Sequence, residues 1–309
     1  MAKVSKIRPS SSPSSSRKKP KAIAKPSSEL ALPSEYNEPP TDLTDSVCLI
    51  YGAKGIGKTS LASQFPNALA FMFERGRRNL RIHQVPQKGE PKLDWETFLE
   101  YIELFLESDF QTGIIDTIDG AYIACFEHVC AEHGVKDPSE YKEGYKLWDE
   151  ISHTFGALFS MLQESEKCVV FLSHDKTRPL TTKRKGLNRN ELDEEAVVAY
   201  ERLEPTCKPA AFRLVQEICD FVFYYGYRDG YRAITVRSPH NIHWVSCGLA
   251  DAFLDPDGNQ IETFKVGNSP EQAYRDLLDA YSNKKRDIDY VPPPSSPRIK
   301  KGLFKAKKK

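Results

Sequence analysis

Long apolar runs are missing from this chain of 309 residues. No stretch approaches the ~18 consecutive apolar residues of a membrane span, which argues against a membrane protein. An apolar segment behind the N-terminal charges is missing too, so no secretory signal is expected and the chain reads as cytoplasmic. A cysteine framework is missing. The seven cysteines are scattered, and an odd, unpatterned set suits reduced thiols. Acid is missing from the ends. Residues 1–26 carry eight Lys/Arg and no Asp or Glu, and residues 284–309 carry ten against two acids. With a total of only +1, the intervening body, 27–283, is left at −15. Apolar periodicity is missing from residues 1–42, which are rich in Ser, Pro and Lys. Such a composition cannot offset the entropy of ordering. We therefore expect a disordered basic tail over 1–42, one domain over 43–283 and a second basic tail over 284–309. The run Arg17-Lys18-Lys19-Pro20-Lys21 suits an acidic partner or nucleic acid as well as it suits mere solubility.

What the body does contain is organised around LIYGAKGIGKTSLA, residues 49–62. Within it stands Gly52-x-x-x-x-Gly57-Lys58-Thr59, the P-loop pattern. Gly52, Gly55 and Gly57 let backbone N–H groups curl around phosphate oxygens without Cβ clashes. Lys58 reaches the β- and γ-phosphates, and Thr59 offers a hydroxyl to Mg²⁺. The cradle as a whole takes in Gly52, Ala53, Lys54, Gly55, Ile56, Gly57, Lys58, Thr59 and Ser60. An apolar strand-like run, Val47 to Tyr51, precedes it. A helix follows and stops before Pro66, with its positive dipole end toward the anion. A chance match in a glycine-containing turn would lack that strand-before, helix-after context.

Downstream, 68–73 reads as a short buried strand ending at Glu74-Arg75-Gly76, and 95–106 has helical apolar spacing. Residues 112–117, TGIIDT, read as a strand ending in a carboxylate. Asp116 there could hold the water shell of Mg²⁺ opposite Thr59; a helix N-cap is the alternative use of such an Asp, and Asp119 suits that role better. A helix over 121–134 carries Cys125, His128, Cys130 and His133, but spreads them over different faces, so no zinc site is expected. His240, His243 and Cys247 make no stronger case. The helix over 145–162 is expected to bury Leu147, Trp148, Ile151, Phe155, Leu158, Phe159 and Leu162. The strand 168–172 ends at Ser173-His174-Asp175-Lys176, where ligands bind in parallel sheets. His174 is accordingly a candidate γ-phosphate sensor, with a plain loop histidine as the alternative. Residues 176–190 carry Lys176, Arg178, Lys183, Arg184, Lys185 and Arg189 and no acid. They read as a loop, either a cationic groove for single-stranded nucleic acid or a solvated segment pairing with Glu191, Asp193, Glu194 and Glu195. A helix over 212–221, a hairpin of 220–225 with 231–237 across Arg228-Asp229-Gly230, and a last helix over 270–282 complete the reading.

Glu74, Asp116-Thr117 and Ser173-His174-Asp175-Lys176 follow three successive strands downstream of the P-loop. This ordered set resembles the RecA-type ATPase core, and is most similar to the phage AAA-type ATP-binding proteins, including Sak-type recombinases that carry only that core. The resemblance spans 47–236. It implies an α/β P-loop NTPase fold with a mainly parallel sheet flanked by helices and a C-terminal β-hairpin extension. It also implies Glu74 as the water-activating carboxylate, Asp116 as the magnesium partner, His174 as the nucleotide sensor and 176–190 as the DNA-contacting loop. The segment 73–78 is more basic than the acidic pattern usual there. Residues 238–254 match no motif of that family, and no recombinase amino-terminal domain is expected.

The leading expectation is an ATPase, with ATP and Mg²⁺ as cofactors, that acts on single-stranded DNA in phage recombination or replication in the host cytoplasm. Expected partners are single-stranded DNA, a single-strand-binding or other replication protein, and further copies of the chain in a filament or ring. A cation from a neighbouring copy, Lys208, Arg213 or Arg237, would then complete the site. The rival expectation is a nucleotide-dependent switch that recruits a helicase or packaging component with little turnover. A metabolite kinase is disfavoured, because no acceptor-pocket motif or arginine-rich lid is visible.

Overall fold

Central strands that are buried on both faces read as unbroken apolar runs, and four segments of this chain do so. The computed structural model describes residues 41–74, 80–182 and 197–284. In chain order the elements are β1 (Val47–Gly52), α1 (Lys58–Ala62), β2 (Ala68–Met72), β3 (His83–Val85), α2 (Trp95–Glu107), β4 (Thr112–Asp116) and α3 (Ile118–Glu132). There follow α4 (Gly144–Gln163), β5 (Cys168–Thr182), β6 (Val197–Pro205), α5 (Pro209–Ile218), β7 (Phe221–Arg228), β8 (Tyr231–Thr235), β9 (Ser246–Cys247), β10 (Thr263–Lys265) and α6 (Pro270–Tyr281).

The sheet runs β10-β8-β7-β1-β5-β4-β2-β3. From β7 to β3 every pairing is parallel, and β8 and β10 add antiparallel strands at the far edge. Alternate residues of β1 enter opposite cores. Leu49 and Tyr51 pack with α2, α3, α4 and α5, whereas Cys48 and Ile50 pack with α1 and α6. Helices on both faces thus cover a mainly parallel sheet, as expected, and its carboxyl end is where ligands bind in such architectures.

Several local expectations are corrected. Thr117, not Asp119, is the N-cap of α3: its hydroxyl accepts from Gly120 N at 3.3 Å. Asp119 is used instead across the sheet end, where its carboxylate accepts from the Ser173 hydroxyl at 2.8 Å. Trp148 is not buried; it is 44% exposed and leans on Phe126 at the rim. The first part of the basic segment is not a loop. β5 continues through 182 and pairs antiparallel with β6, from Asp175 opposite Pro205 onward. β3, β9 and β10 are two- or three-residue strands whose pairing comes from tertiary context and not from a pattern of their own. Lys183, Arg184, Lys185, Arg189, the acids at 191, 193, 194 and 195, Arg75 to Arg78 and both tails lie outside the described residues.

The segment 238–254 has a structural role. Leu203 N donates to Ile242 O and Trp244 N to Leu203 O, both at 2.8 Å, so 242–244 lies along β6. The Trp244 ring lies under the Arg202 guanidinium at 4.0 Å and against Phe212. Arg237 donates to the carbonyls of Leu249, Ala252, Phe253 and Ile261. Its donors are spent on tying 249–261 to the sheet, which argues against the expected role of Arg237 as a cation lent to a neighbour.

His243 packs at a tilt against Tyr224, ring centres 4.5 Å apart. Burial, helped by the nearby Arg228 charge, lowers its pKa from 6.5 to about 4. The folded imidazole therefore refuses a proton that the unfolded chain accepts. Stability should be complete above pH ~6.5 and fall as the pH drops toward 4, by up to about 3 kcal/mol. Urea midpoints measured from pH 7.5 to 4.5 check this, and His243→Gln should flatten the slope across that window.

Candidate active site

The site begins with backbone that only glycine can supply. A Cβ on Gly52 would stand 2.0 Å from the Tyr225 carbonyl oxygen, so the end of β1 could not lie this close to β7. Gly57 has φ 108° at the N-cap of α1, and Gly55 has φ 85°, both in the region that disfavours side chains. Ala53, Lys54 and Gly55 form the exposed tip of the loop, Ile56 plugs into the core, and Ser60 is half-buried behind it.

Lys58 is buried within this loop. Its ammonium donates to Gly52 O at 2.7 Å and Ala53 O at 3.1 Å, and stands 3.3 Å from His174 Nδ1. Thr59 is buried next to it, and its hydroxyl donates to Asp116 Oδ2 at 2.7 Å. This contact spans β5, which is inserted between β1 and β4. Asp116 reaches it because β4 stops opposite Leu172 of β5, two register positions short of the end of β1, where Gly52 stands opposite His174. The other imidazole nitrogen, His174 Nε2, is 2.8 Å from Glu74 Oε1. Residues from the α1 turn and from the ends of β2, β4 and β5 thus meet in one cluster: Lys58, Thr59, Glu74, Asp116 and His174.

Beneath that cluster the Ser173 hydroxyl donates to Asp119, lies 3.3 Å from the Thr206 hydroxyl and accepts from Cys207 Sγ at 3.5 Å. This fixes the backbone on which His174 is carried. Gly120 permits the approach of α3: a Cβ there would meet Phe73 Cβ at 2.4 Å. The loop and the Thr59–Asp116 pair fit Mg·nucleotide in their chemistry. Curled N–H groups suit phosphate, and a hydroxyl–carboxylate oxygen pair suits a small hard cation that keeps most of its waters.

The basic residues divide. Lys176, Arg178 and Arg202 share one face of the β5–β6 ribbon and converge on Glu204, with N–O distances of 3.6, 3.7 and 3.1 Å. Glu204 is only 6% exposed. Removing its partners would leave a buried charge uncompensated, so this cluster also holds the ribbon together. The Tyr51 hydroxyl donates to Leu203 O at 3.1 Å and fastens the ribbon to β1. Of the other cations considered, Lys208 is the N-cap residue of α5 and Arg213 stands 4.0 Å from Glu217. Among the histidines and cysteines set aside earlier, Cys125 and Cys130 are core residues, with burial raising Cys125 to about 12. His128 and His133 face Glu132 and Glu150. No group of three or more His, Cys, Asp or Glu suited to a metal occurs among the described residues. Nor is any described helix long and apolar enough to cross a membrane.

One neighbour of the loop was missed from the sequence. The Arg232 guanidinium, on β8, lies 3.9 Å from the position a Cβ would take on Gly57. A lone arginine in a hairpin 175 positions downstream carries no local signal. Only the register that sets it opposite Tyr227 brings it to the loop.

The comparisons with known proteins bear on this site. No curated protein matches the chain. Among solved structures, a KaiC-like protein from the hyperthermophilic archaeon Pyrococcus horikoshii OT3 is similar at 12% identity and a TM-score of 0.38, covering 74% of this chain and 88% of that one. That likeness is too loose to transfer any property. The family model described as "AAA domain" matches residues 44–243, from just before β1 to the strap along β6, and so takes in every element of the cluster. With well over half its length matched, and with a P-loop at the carboxyl end of a mainly parallel sheet, the chain belongs to the AAA domain family of nucleotide-binding P-loop proteins.

Proposed function

We propose that this protein hydrolyses Mg·ATP and couples the nucleotide to single-stranded DNA, in phage recombination or replication inside the bacterial host. The observation that carries the reading is the convergence of Lys58, Thr59, Glu74, Asp116 and His174 at one end of the sheet. Lys58 exchanges the Gly52 and Ala53 carbonyls for β- and γ-phosphate oxygens. Thr59 and Asp116 hold the hydrated magnesium, which supplies charge neutralisation when bound. Glu74 orients the attacking water. His174 joins Glu74 to Lys58, so a change at the γ-phosphate reaches the carboxylate through one imidazole. Catalysis of this kind is positioning and electrostatic stabilisation, with little covalent work for the protein.

The DNA half of the proposal is supported by continuity. β5 runs without a break from His174 into the ribbon that bears Lys176, Arg178 and Arg202. Lys183, Arg184, Lys185 and Arg189 lie further along the same segment of the sequence. Glu204 already neutralises part of the described face, so the phosphate contacts fall mainly to those four. A filament or ring of copies fits a site that takes a cation in trans, with Lys208 and Arg213 as the remaining candidates, and a single-strand-binding or other replication protein is a fitting partner.

Lys58→Ala should abolish turnover without unfolding the chain. Glu74→Gln should keep ATP binding and slow hydrolysis by about 10²–10⁴-fold. Steady-state phosphate release and equilibrium ATP binding, each with and without single-stranded DNA, separate the two effects. Equal loss of binding and turnover in Glu74→Gln would make that carboxylate structural. Binding without turnover in the wild type would favour a nucleotide-dependent switch that recruits a protein partner.

Neutralising Lys183, Arg184 and Lys185 together should weaken single-stranded DNA binding and lower its log–log salt slope by about 2, from ~0.7 per contact. A chain trimmed to 43–283 removes the basic tails as a confounding source of binding. If that trimmed wild type fails to bind DNA in ATP and low salt, the basic segment 176–190 loses its assigned role.

A further inference from the structure

The P-loop has two flanks, because β1 lies between β5 and β7. On the β5 flank stand Asp116, His174 and Glu74, the residues that face a terminal phosphate and its metal. The β7 flank has a different character. Tyr225 and Tyr227 of β7 and Arg232 of β8 share the sheet face covered by α1 and α6, since Arg232 pairs opposite Tyr227 and Ile234 opposite Tyr225. The two terminal guanidinium nitrogens of Arg232 lie 3.9 and 4.0 Å from the Cβ position of Gly57, and the Tyr225 ring edge lies 4.0 Å from it. One of those nitrogens, Nη1, donates to Asn268 O at 2.7 Å, and the guanidinium also hydrogen-bonds the Tyr227 and Tyr225 side chains. The Tyr227 ring centre is 5.9 Å from the guanidinium carbon. Tyr227 is 64% exposed, one of the few large apolar side chains of the described residues left in solvent.

A nucleoside triphosphate with its γ-phosphate at Lys58, Thr59 and Asp116 must extend the rest of its length somewhere. The β5 flank is filled by the His174–Glu74 pair. The polyphosphate therefore runs toward β7, and its inner phosphate and nucleoside arrive where a cation and an exposed ring already stand. We propose that Arg232 and Tyr227 form the nucleoside half of the site: Arg232 donates to the phosphate nearest the ribose, and Tyr227 stacks on the base. This rests on the P-loop reading above and adds two binding residues to it, both in cis. A ring face reads no hydrogen-bond pattern, so the platform favours any purine over none without choosing between purines. The competing account is structural, with Arg232 serving only to hold Asn268 and the two tyrosines in place.

Two probes separate these, ATP and inorganic triphosphate, titrated calorimetrically into the full chain with Mg²⁺ present. Tyr227→Ala should weaken ATP about tenfold more than it weakens triphosphate, since only ATP has a base to stack, and Tyr227→Phe, which keeps the ring and loses only the bond to Arg232, should retain that tenfold. Arg232→Gln should weaken both by about tenfold or more, and Arg232→Lys should recover part of each. Tyr227→Ala removes an exposed ring and should fold normally. If it binds ATP as the wild type does, or loses both probes alike, the base platform is overturned. If Arg232→Gln loses both probes together with thermal stability, and Arg232→Lys restores neither, Arg232 is structural and the phosphate contact is overturned. Should both variants bind ATP as tightly as the wild type, the inference fails while the P-loop reading stands. A wild type that binds neither probe would instead overturn the P-loop reading itself.

Discussion

A hydroxyl and a carboxylate meet at 2.7 Å across a strand that belongs to neither: Thr59 follows β1, Asp116 ends β4, and β5 runs between them. The contact exists only if β1 and β4 stop on either side of β5, within two residues of one another in register, and the first helical turn after β1 folds back over them. The close approach of β1 and β7, which leaves no room for a Cβ at Gly52, is part of that alignment. So is the dense aromatic packing of Phe71, Phe98, Phe105, Trp95 and Phe155 beneath β2 and β4, which holds those strands in register from one side. Stability and site geometry are therefore set by the same strand ends.

The middle strand gives the arrangement its reach. β5 carries Ser173 and His174 inside the site and then leaves the sheet as one edge of a ribbon. That ribbon is fastened at its root by Tyr51, by the buried Glu204 with its three cations and by the 242–244 strap. A displacement of His174 therefore acts on a stiff paired element and not on a slack loop. Under the function proposed above, this supplies a mechanical link between nucleotide and DNA that needs no separate linker.

How much of this was legible in the sequence depended on range. The P-loop and the Asp116 strand end were legible because each is a local pattern in which backbone freedom, apolar run and polar terminus lie within a few residues. The parallel sheet and its flanking helices followed from the same punctuation. Where the answer turned on long-range pairing, the reading failed. The segment 176–182 looked like a basic loop because its partner, β6, lies beyond a run of charges, and its register could not be read from either strand alone. Asp119 looked like a cap because its use by Ser173 is a tertiary fact. Trp148 fitted the helical stripe, but the stripe is wider than the surface that covers it. Arg237 looked like a free cation until the carbonyls of 249–261 closed around it, and Arg232 gave no signal at all.

Under the proposed function, Thr59 and Asp116 hold the metal of a metal–nucleotide complex. The most direct test of this role is ATP affinity measured with Mg²⁺ and with excess chelator, in the wild type and in Asp116→Asn. Mg²⁺ should tighten ATP binding in the wild type, and this gain should be largely lost in Asp116→Asn, while metal-free binding through the loop persists. An equal Mg²⁺ gain in both proteins would contradict it.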